Sequence, residues 1–394
     1  LKEIMKMLQP AINRKTTLKV TTSILIKEGK AHATNLETAI IIDAPELTDS
    51  CLLPFDMVMG AVELIPSHLD IKIDAGTRLI GLSWPGGKAS YPTGEWQDFP
   101  DVNKYDAPVI IGDIDGNALV SGLTPLIKYA ATESSRPILA AVHMFLGKKV
   151  SAFAADGFRL VKQDIPVSFG EEGVISIPPK TLDILDFVWK KDPVVPPVAT
   201  SFSAFLVGPR KMTLAVGNSK TDKHQWIGFR FGRVKVLSSL IIGEPPNTDN
   251  LIPKPSNKFK VIGSDLRRAL LRTKDVANSA SGIVRLKWTE TTLQVYAVSA
   301  EIGEMSTDVH ISALDGPGRI GVNVKYLLEY LTGKDGLVTV GTTNEKSPAV
   351  LEYTNAPLTV IMPMLVAWEE AVTVGAPADP EEAEEEEVEE EEKE

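Results

Sequence analysis

Three stretches of this chain carry apolar residues at the three- and four-residue spacing of an amphipathic helix. They are LKEIMKMLQPAI from Leu1, NALVSGLTPLIKYAAT from Asn117 and SDLRRALLRTKDVA from Ser264. Asn117 and Ser264 read as N-caps, whose side-chain oxygens accept from the free amides of a first turn. Each helix is followed by alternating apolar and polar positions, the two-residue period of half-buried strands: SILIKEGKAHATNLETAIIID, AAVHMFLGKKVSAFAADGFRLVKQD and GIVRLKWTETTLQVYAVSAEIGEMSTDV. A second helix pattern then recurs in LPFDMVMGAVELI, IPPKTLDILDFVW and VNVKYLLEYL. Further strands close each copy, in LDIKIDAGTRLIGLSW, FSAFLVGPRKMTLAVG and GLVTVGTTNEKSPAVLEYTNAPLTVIM. The order helix, strands, helix, strands thus occurs three times at a spacing of roughly 120 to 145 residues, far beyond a solenoid period. The pattern predicts a triplicated α+β domain.

The second and third copies are introduced by a strand, APVIIGD and KFKVIG, just before the first helix; the first copy has none. The expectation is that the first copy lacks its first strand. At the other end, PLTVIMPMLV (357–366) is an apolar run broken by Pro363. Proline donates no ladder hydrogen bond and is confined to edges and strand ends. The strand is therefore expected to stop there.

Composition changes this picture in one place. The formal charge of -11 lies entirely in DPEEAEEEEVEEEEKE from Asp379, which leaves 40 acids and 40 bases on the rest of the chain. An acidic total therefore argues nothing against a nucleic-acid partner, and so dense a block of like charge reads as a disordered tail. The single cysteine, Cys51, excludes an internal disulfide and a cysteine-based zinc site, which fits a reducing compartment. No apolar stretch approaches the roughly 20 residues of a membrane span, so a cytoplasmic protein without a membrane partner is expected.

Catalytic patterns are missing. The five histidines are scattered, without the pairing of a metal site, so no cofactor or metal is expected. GLSWPGGK at Gly81 has its lysine one place late for a phosphate loop, with Ala89 where Ser or Thr would bind magnesium; it reads as a hairpin turn. GDIDGN at Gly112 lacks the twelfth-position glutamate of a calcium loop. What remains is basic helix surface: Lys2, Lys6, Arg14 and Lys15, then Lys128 and Arg136, then Arg267, Arg268, Arg272 and Lys274. Several such helices facing a common centre would line a path for a phosphate backbone without reading bases.

In family order, HATNLETAI, DFPDV, AADGFRLV, LIIGEPPNTDNLIP, GVNVKYLLEYL and VIMPM resemble the bacterial DNA polymerase III beta subunit, the DNA sliding clamp. The resemblance spans residues 1 to 366 and implies three clamp domains: 1–107, 108–254 and 255–366, followed by the acidic tail 367–394. It implies a head-to-tail homodimeric ring around double-stranded DNA with no catalysis of its own. Its implied partners are a DNA polymerase catalytic subunit, a clamp loader and other proteins with clamp-binding motifs. DNA-facing positions would include Arg14 or Lys15, and Arg136. The family's peptide pocket would be walled by Leu139, Ala155, Gly157, Phe158, Arg159, Leu160, Pro246, Leu251, Val360, Ile361, Met362, Pro363 and Met364. At the ring interface, Ala89 and Tyr91 would stand opposite Val276 and Ala277 of the partner chain.

Several positions depart from the family pattern. Phe158 stands where histidine is usual, Ala155 replaces a threonine, and Asn250 and Leu365 replace arginines of the pocket rim. Ala89 and Tyr91 are small for the interface, which keeps a peptide-binding scaffold that does not encircle DNA as a rival reading. A dispersed-site phosphoryl transferase is the rival enzyme, and it would need a carboxylate cluster for magnesium that the sequence does not display.

Overall fold

The computed structural model describes residues 1–102, 105–132, 136–192, 210–219, 225–248 and 250–368. The glutamate block and most of the strand expected at FSAFLVGPR lie outside the described residues.

The first copy runs α1 (Lys2–Leu8), β1 (Ser23–Lys27), β2 (Lys30–Thr34), β3 (Thr38–Asp43), β4 (Cys51–Pro54), α2 (Phe55–Leu64), β5 (Lys72–Ala75), β6 (Leu79–Trp84) and β7 (Gly87–Pro92). The second runs β8 (Tyr105–Asp115), α3 (Gly116–Leu123), β9 (Val142–Leu146), β10 (Val150–Ala155), β11 (Arg159–Ile165), β12 (Gly173–Ile177), α4 (Pro179–Lys191), β13 (Lys211–Ser219), β14 (Gln225–Phe231) and β15 (Val234–Ser239). The third runs β16 (Asn257–Ile262), α5 (Gly263–Asn278), β17 (Ile283–Trp288), β18 (Thr292–Ser299), β19 (Gly303–His310), β20 (Ser312–Ala313), β21 (Gly318–Asn323), α6 (Val324–Leu331), β22 (Leu337–Thr342), β23 (Ala349–Tyr353) and β24 (Leu358–Ile361). This is an α+β chain in which one plan is used three times.

Two sheets cross from copy to copy. The order β4-β1-β2-β3-β15-β14-β13-β8 joins the first copy to the second, and β12-β9-β10-β11-β24-β23-β22-β16-β20 joins the second to the third. The seams are the antiparallel pairs β3–β15, from Val234 opposite Ile42 to Ser238 opposite Thr38, and β11–β24, from Arg159 opposite Ile361 to Lys162 opposite Leu358. Two smaller sheets stand at the ends, β5-β6-β7 in the first copy and β19-β18-β17-β21 in the third. Helices pack on helices: α1 on α2 and α4, α3 on α4, α5 on α6. One buried cluster runs continuously from Ile4 to Leu240 through the first two copies, and a second, from Phe259 to Ile361, fills the third.

Local chemistry differs from the sequence expectation in three places. The N-cap of α3 is Asp115, whose carboxylate accepts from the amides of Asn117 and Ala118; Asn117 is already inside the helix. Ser264 is likewise inside α5, which has no side-chain cap. There β16 turns directly into the helix at Gly263, whose amide donates to the Gly336 carbonyl (2.7 Å). A Cβ on Gly263 would lie 2.0 Å from the Lys334 carbonyl oxygen, so this strand-to-helix junction needs glycine and leaves no room for a capping side chain. Finally, the helix expected to run on from Asn117 stops at Leu123 and tightens into a 3-10 turn, Thr124–Tyr129, because Pro125 cannot continue the α ladder.

GLSWPGGK is a hairpin, with Trp84 opposite Gly87. The strand before α3 begins at Tyr105, earlier than the range expected for the second copy. In the second and third copies β8 pairs with β13 and β16 with β22, whereas the corresponding outer edge of β5 has no partner among the described residues.

Candidate functional site

A cleft of about 410 Å³ opens where the second copy meets the third, lined by Ala131, Thr132, Arg136, Leu139, Asp156, Gly157, Phe158 and Tyr326. Its centre is the turn between β10 and β11. The Asp156 carboxylate accepts from the amides of Phe158 (3.0 Å) and Arg159 (2.9 Å), and the Asp156 amide donates to the Arg159 carbonyl (3.2 Å). So tight a reversal puts Gly157 at φ +91°, which glycine adopts without steric penalty. It pushes the Phe158 ring outward to 56 % exposure, against Tyr326 of α6, with ring centroids 6.4 Å apart and planes 29° apart.

Beneath the ring, Arg159 ties the two copies together. Its guanidinium donates to Asp156 (2.9 Å), to the Lys128 carbonyl (2.8 Å) and to Glu329 of α6, and it lies over the faces of Tyr129 (4.8 Å) and Tyr326 (4.6 Å). Burial works against its charge, but the bonds to Glu329 and Asp156 outweigh it and hold Arg159 above its ordinary range. The Lys128 ammonium donates to the Glu329 carbonyl (3.2 Å), and burial lowers its pKa. Burial raises both Tyr129 and Tyr326. Apolar surfaces of Leu139, Phe158 and Tyr326, flanked by Thr132 and Arg136 over an ionic floor, suit an extended segment with apolar side chains.

The thirteen residues expected as pocket wall divide by depth. Leu139, Gly157 and Phe158 line the cleft. Ala155, Leu160, Val360 and Ile361 are buried below it because β11 and β24 are hydrogen-bonded there; the first three, with Val350, form a small apolar cluster against which Ile252 and Leu358 pack. Arg159 is the ionic floor. The Met362 amide donates to the Phe158 carbonyl (2.7 Å), and Pro363 and Met364 continue half-buried. On the connector between copies, Pro246 is half-buried and Leu251 is exposed.

Tyr326, Asp156, Ala131 and Thr132 were not expected in the wall. The one signal in the sequence was Tyr326 on a helix whose other tyrosine, Tyr330, is buried: an aromatic side chain left on the outer face.

The expected DNA-facing residues separate. Arg14 is exposed but forked onto Asp56 of α2, with Nη2 2.9 Å from Oδ1, and Lys15 is exposed. Arg136 lines the cleft beside Phe158 instead of standing on an open helix face, and Lys128 belongs to the junction. Arg267, Arg268, Arg272 and Lys274 are exposed on α5.

At the ends, Ala89 and Tyr91 sit on β7, half-buried with their side chains toward the core. Val276 is half-buried, but Ala277 is 1 % exposed within the third core, because α5 packs over β18 and β19 there; its side chain offers little to a second chain. Among the described residues no group of three or more His, Cys, Asp or Glu could hold a metal ion, and no helix is long and apolar enough to cross a membrane.

The family model for the DNA polymerase III beta subunit, C-terminal domain, matches residues 249–365, the third copy. The third copy matches that family, and 93% of the chain shares the beta-clamp fold. A beta sliding clamp of Streptococcus pneumoniae is 24% identical over 210 residues, 51% of this chain and 49% of the relative; one of Pseudomonas aeruginosa is 27% identical over 173 residues, 40% and 47%. The chain thus spans about half the length of these curated relatives. The beta sliding clamp of Staphylococcus aureus aligns further, 21% identical over 350 residues, 82% of this chain and 85% of the relative. Among solved structures, the beta subunit of Thermotoga maritima superposes with a TM-score of 0.79 at 19% identity, covering 93% of this chain and 97% of that one. A Pseudomonas aeruginosa clamp solved with bound griselimycin gives 0.79, 19%, 93% and 97%.

Proposed function

We propose that the chain is a DNA sliding clamp: a non-catalytic ring that encircles duplex DNA and holds its polymerase, loader and other partners through the Phe158 cleft. The observation that carries this reading is the repetition of the seams. The outer strand of each copy, β3 or β11, pairs with the last strand of the next copy, β15 or β24. The two strands left over are β19 of the third copy and β7 of the first, both edges among the described residues. Unpaired edges invite strand addition, and joining β19 to β7 of a second chain, and again in return, closes a head-to-tail ring.

The repeat also gives the register. Asn35, Asp156 and Ser299 each cap the turn that precedes the outer strand, by accepting from the amide two residues on. Opposite the capping residue across the turn stand Thr38, Arg159 and, after one extra residue in the third turn, Gly303, so these three are equivalent. The hairpins Phe231 opposite Val234 and Trp84 opposite Gly87 make Ser238 equivalent to Tyr91. Since Thr38 faces Ser238 and Ile40 faces Val236, Gly303 would face Tyr91 of the partner chain, and Met305 would face its Ala89. Tyrosine over glycine and methionine over alanine compensate in size. On the other face Lys88 would lie between Glu304 and Asp308, at the diagonal spacing where opposite charges attract.

The test is native mass together with cross-linking. A double variant Ala89→Cys/Met305→Cys is expected to give a covalent dimer under oxidation, and Ala89→Cys/Glu304→Cys, with the two side chains on opposite faces, is not. A closed ring loaded on nicked circular DNA should be retained and should slide off once the circle is cut. A monomer that still binds partner peptides would favour the scaffold reading. Encirclement needs only weak phosphate contacts, so the ion pair between Arg14 and Asp56 is compatible with sliding. The site of action would be the cytoplasm, where the DNA is.

A further inference from the structure

Beyond β24 the chain lies on the third copy at fixed points. The Met362 amide donates to the Phe158 carbonyl (2.7 Å), and the Met364 amide donates to the Gly321 carbonyl on the outer edge of β21 (2.8 Å). The Trp368 ring lies against the Arg319 guanidinium, 4.9 Å from centroid to carbon. Arg319 is itself bonded to Glu345, so its place does not depend on Trp368. Gly321 is required for the approach: a Cβ there would lie 2.9 Å from the Met364 carbonyl oxygen and 2.9 Å from a Val366 methyl. Between the last two fixings Leu365 is 80 % exposed, so burial of that side chain does not hold the segment down. The near end of this strap touches the turn that carries Phe158, and its far end is anchored on β21.

We infer that Trp368, Arg319 and Gly321 are positioning residues for the Phe158 cleft: they hold the strap 362–368 on β21, so that Met362, Pro363 and Met364 stand formed beside Phe158 before a partner segment arrives. The inference rests on the peptide-binding reading of that cleft. A wall ordered in advance spares the bound state the loss of freedom that ordering requires. Releasing its far end shows mainly in the dissociation rate, where affinity differences between related complexes chiefly lie. A cation–π contact at a partly exposed site corresponds to a change of about two- to fivefold.

The experiment is stopped-flow binding of a fluorescein-labelled pentapeptide with leucine and phenylalanine anchors to the full chain. Trp368→Ala is expected to raise the dissociation rate about two- to fivefold, with a smaller change in association rate. Trp368→Phe, which keeps an aromatic face for Arg319, is expected to restore most of it. Gly321→Ala, which displaces the strap, is expected to exceed the Trp368→Ala effect. If Trp368→Ala dissociates at the wild-type rate or more slowly while Phe158→Ala loses the peptide, the positioning role is overturned and the cleft reading stands. If Phe158→Ala binds like wild type, the cleft reading falls and takes the inference with it.

Discussion

The two seams of this chain share one backbone and differ in what they bury. At the first, Asn35 accepts from the amides of Glu37 and Thr38; at the second, Asp156 accepts from those of Phe158 and Arg159. The Ser239 amide donates to Glu37 just as the Met362 amide donates to Phe158. The turn leads into a threonine in one copy and an arginine in the other. Thr38 closes a buried hydroxyl cluster with Thr181 (3.0 Å) and Ser238 (3.4 Å), the latter two 2.7 Å apart. Arg159 needs carboxylates from two copies and aromatic faces around it, and the space above it remains open as the cleft. One seam is sealed, and its equivalent is left open as a cleft.

The largest test of that contrast is Arg159→Ala. It takes the guanidinium from Asp156 and Glu329 at a junction where that group is nine-tenths buried, and breaking a buried pair from one side typically costs about 3–5 kcal/mol. Both carboxylates are more exposed than the arginine, so the low end, about 3 kcal/mol, is expected in urea denaturation. The loss should be concentrated in hydrogen exchange at β11 and β24.

Acid strikes the first two copies in the same place. His32 pairs across the strands with Leu25, and His143 with Phe153; the positions are equivalent with the roles of the strands exchanged. Burial pushes both imidazoles down to about 4. The folded state therefore favours neutral histidine, and the unfolded chain, titrating near 6.5, binds more protons between the two values. This contribution is complete above about pH 6.5 and is lost as the pH falls toward 4, by up to about 3 kcal/mol for each histidine. A double variant His32→Leu/His143→Phe should flatten the fall in melting temperature between pH 6.5 and 4; an unchanged fall would place the acid sensitivity elsewhere.

Much of this was legible in the sequence, because amphipathic period and strand alternation are local properties. All six α-helices among the described residues fall on the stretches whose spacing announced them, α3, α4 and α5 overrunning them by one or two residues, and the proline in PLTVIMPMLV lies just past the end of β24. The cleft was legible only by resemblance, and by resemblance it came out too deep: Ala155, Leu160, Val360 and Ile361 belong to the seam beneath it. Tyr326 and Glu329 reach the site from a helix about 170 residues along the chain, and no local pattern couples them to Arg159. Arg136 could not be assigned a side from charge alone.

Thr181→Val probes the sealed seam. It keeps the shape but leaves the hydroxyls of Thr38 and Ser238 with one fewer partner, in a site with no exposure to water. A net loss of about 1–2 kcal/mol is expected from denaturant unfolding, well below that of Arg159→Ala. Equal losses would mean that the two seams are held equally and that the ionic junction is not distinctive.

The smallest and most direct comparison is within the turn itself. The residue after the capping side chain is Leu36 at φ +79° in the sealed copy and Gly157 at φ +91° in the open one. Left-handed backbone strains a leucine and not a glycine. A Cβ on Gly157 would touch nothing within 4 Å, so Gly157→Ala isolates the conformational penalty, about 1 kcal/mol, free of any clash. Leu36 is 53 % exposed, so Leu36→Gly removes strain at little loss of packing, partly offset by the greater freedom of glycine in the unfolded chain. A gain of a few tenths of a kcal/mol up to about 1 is expected, opposite in sign to the change at 157. If both substitutions destabilise, the leucine is held by contacts and the two turns are not interchangeable; if the signs oppose, the seams differ in their side chains alone.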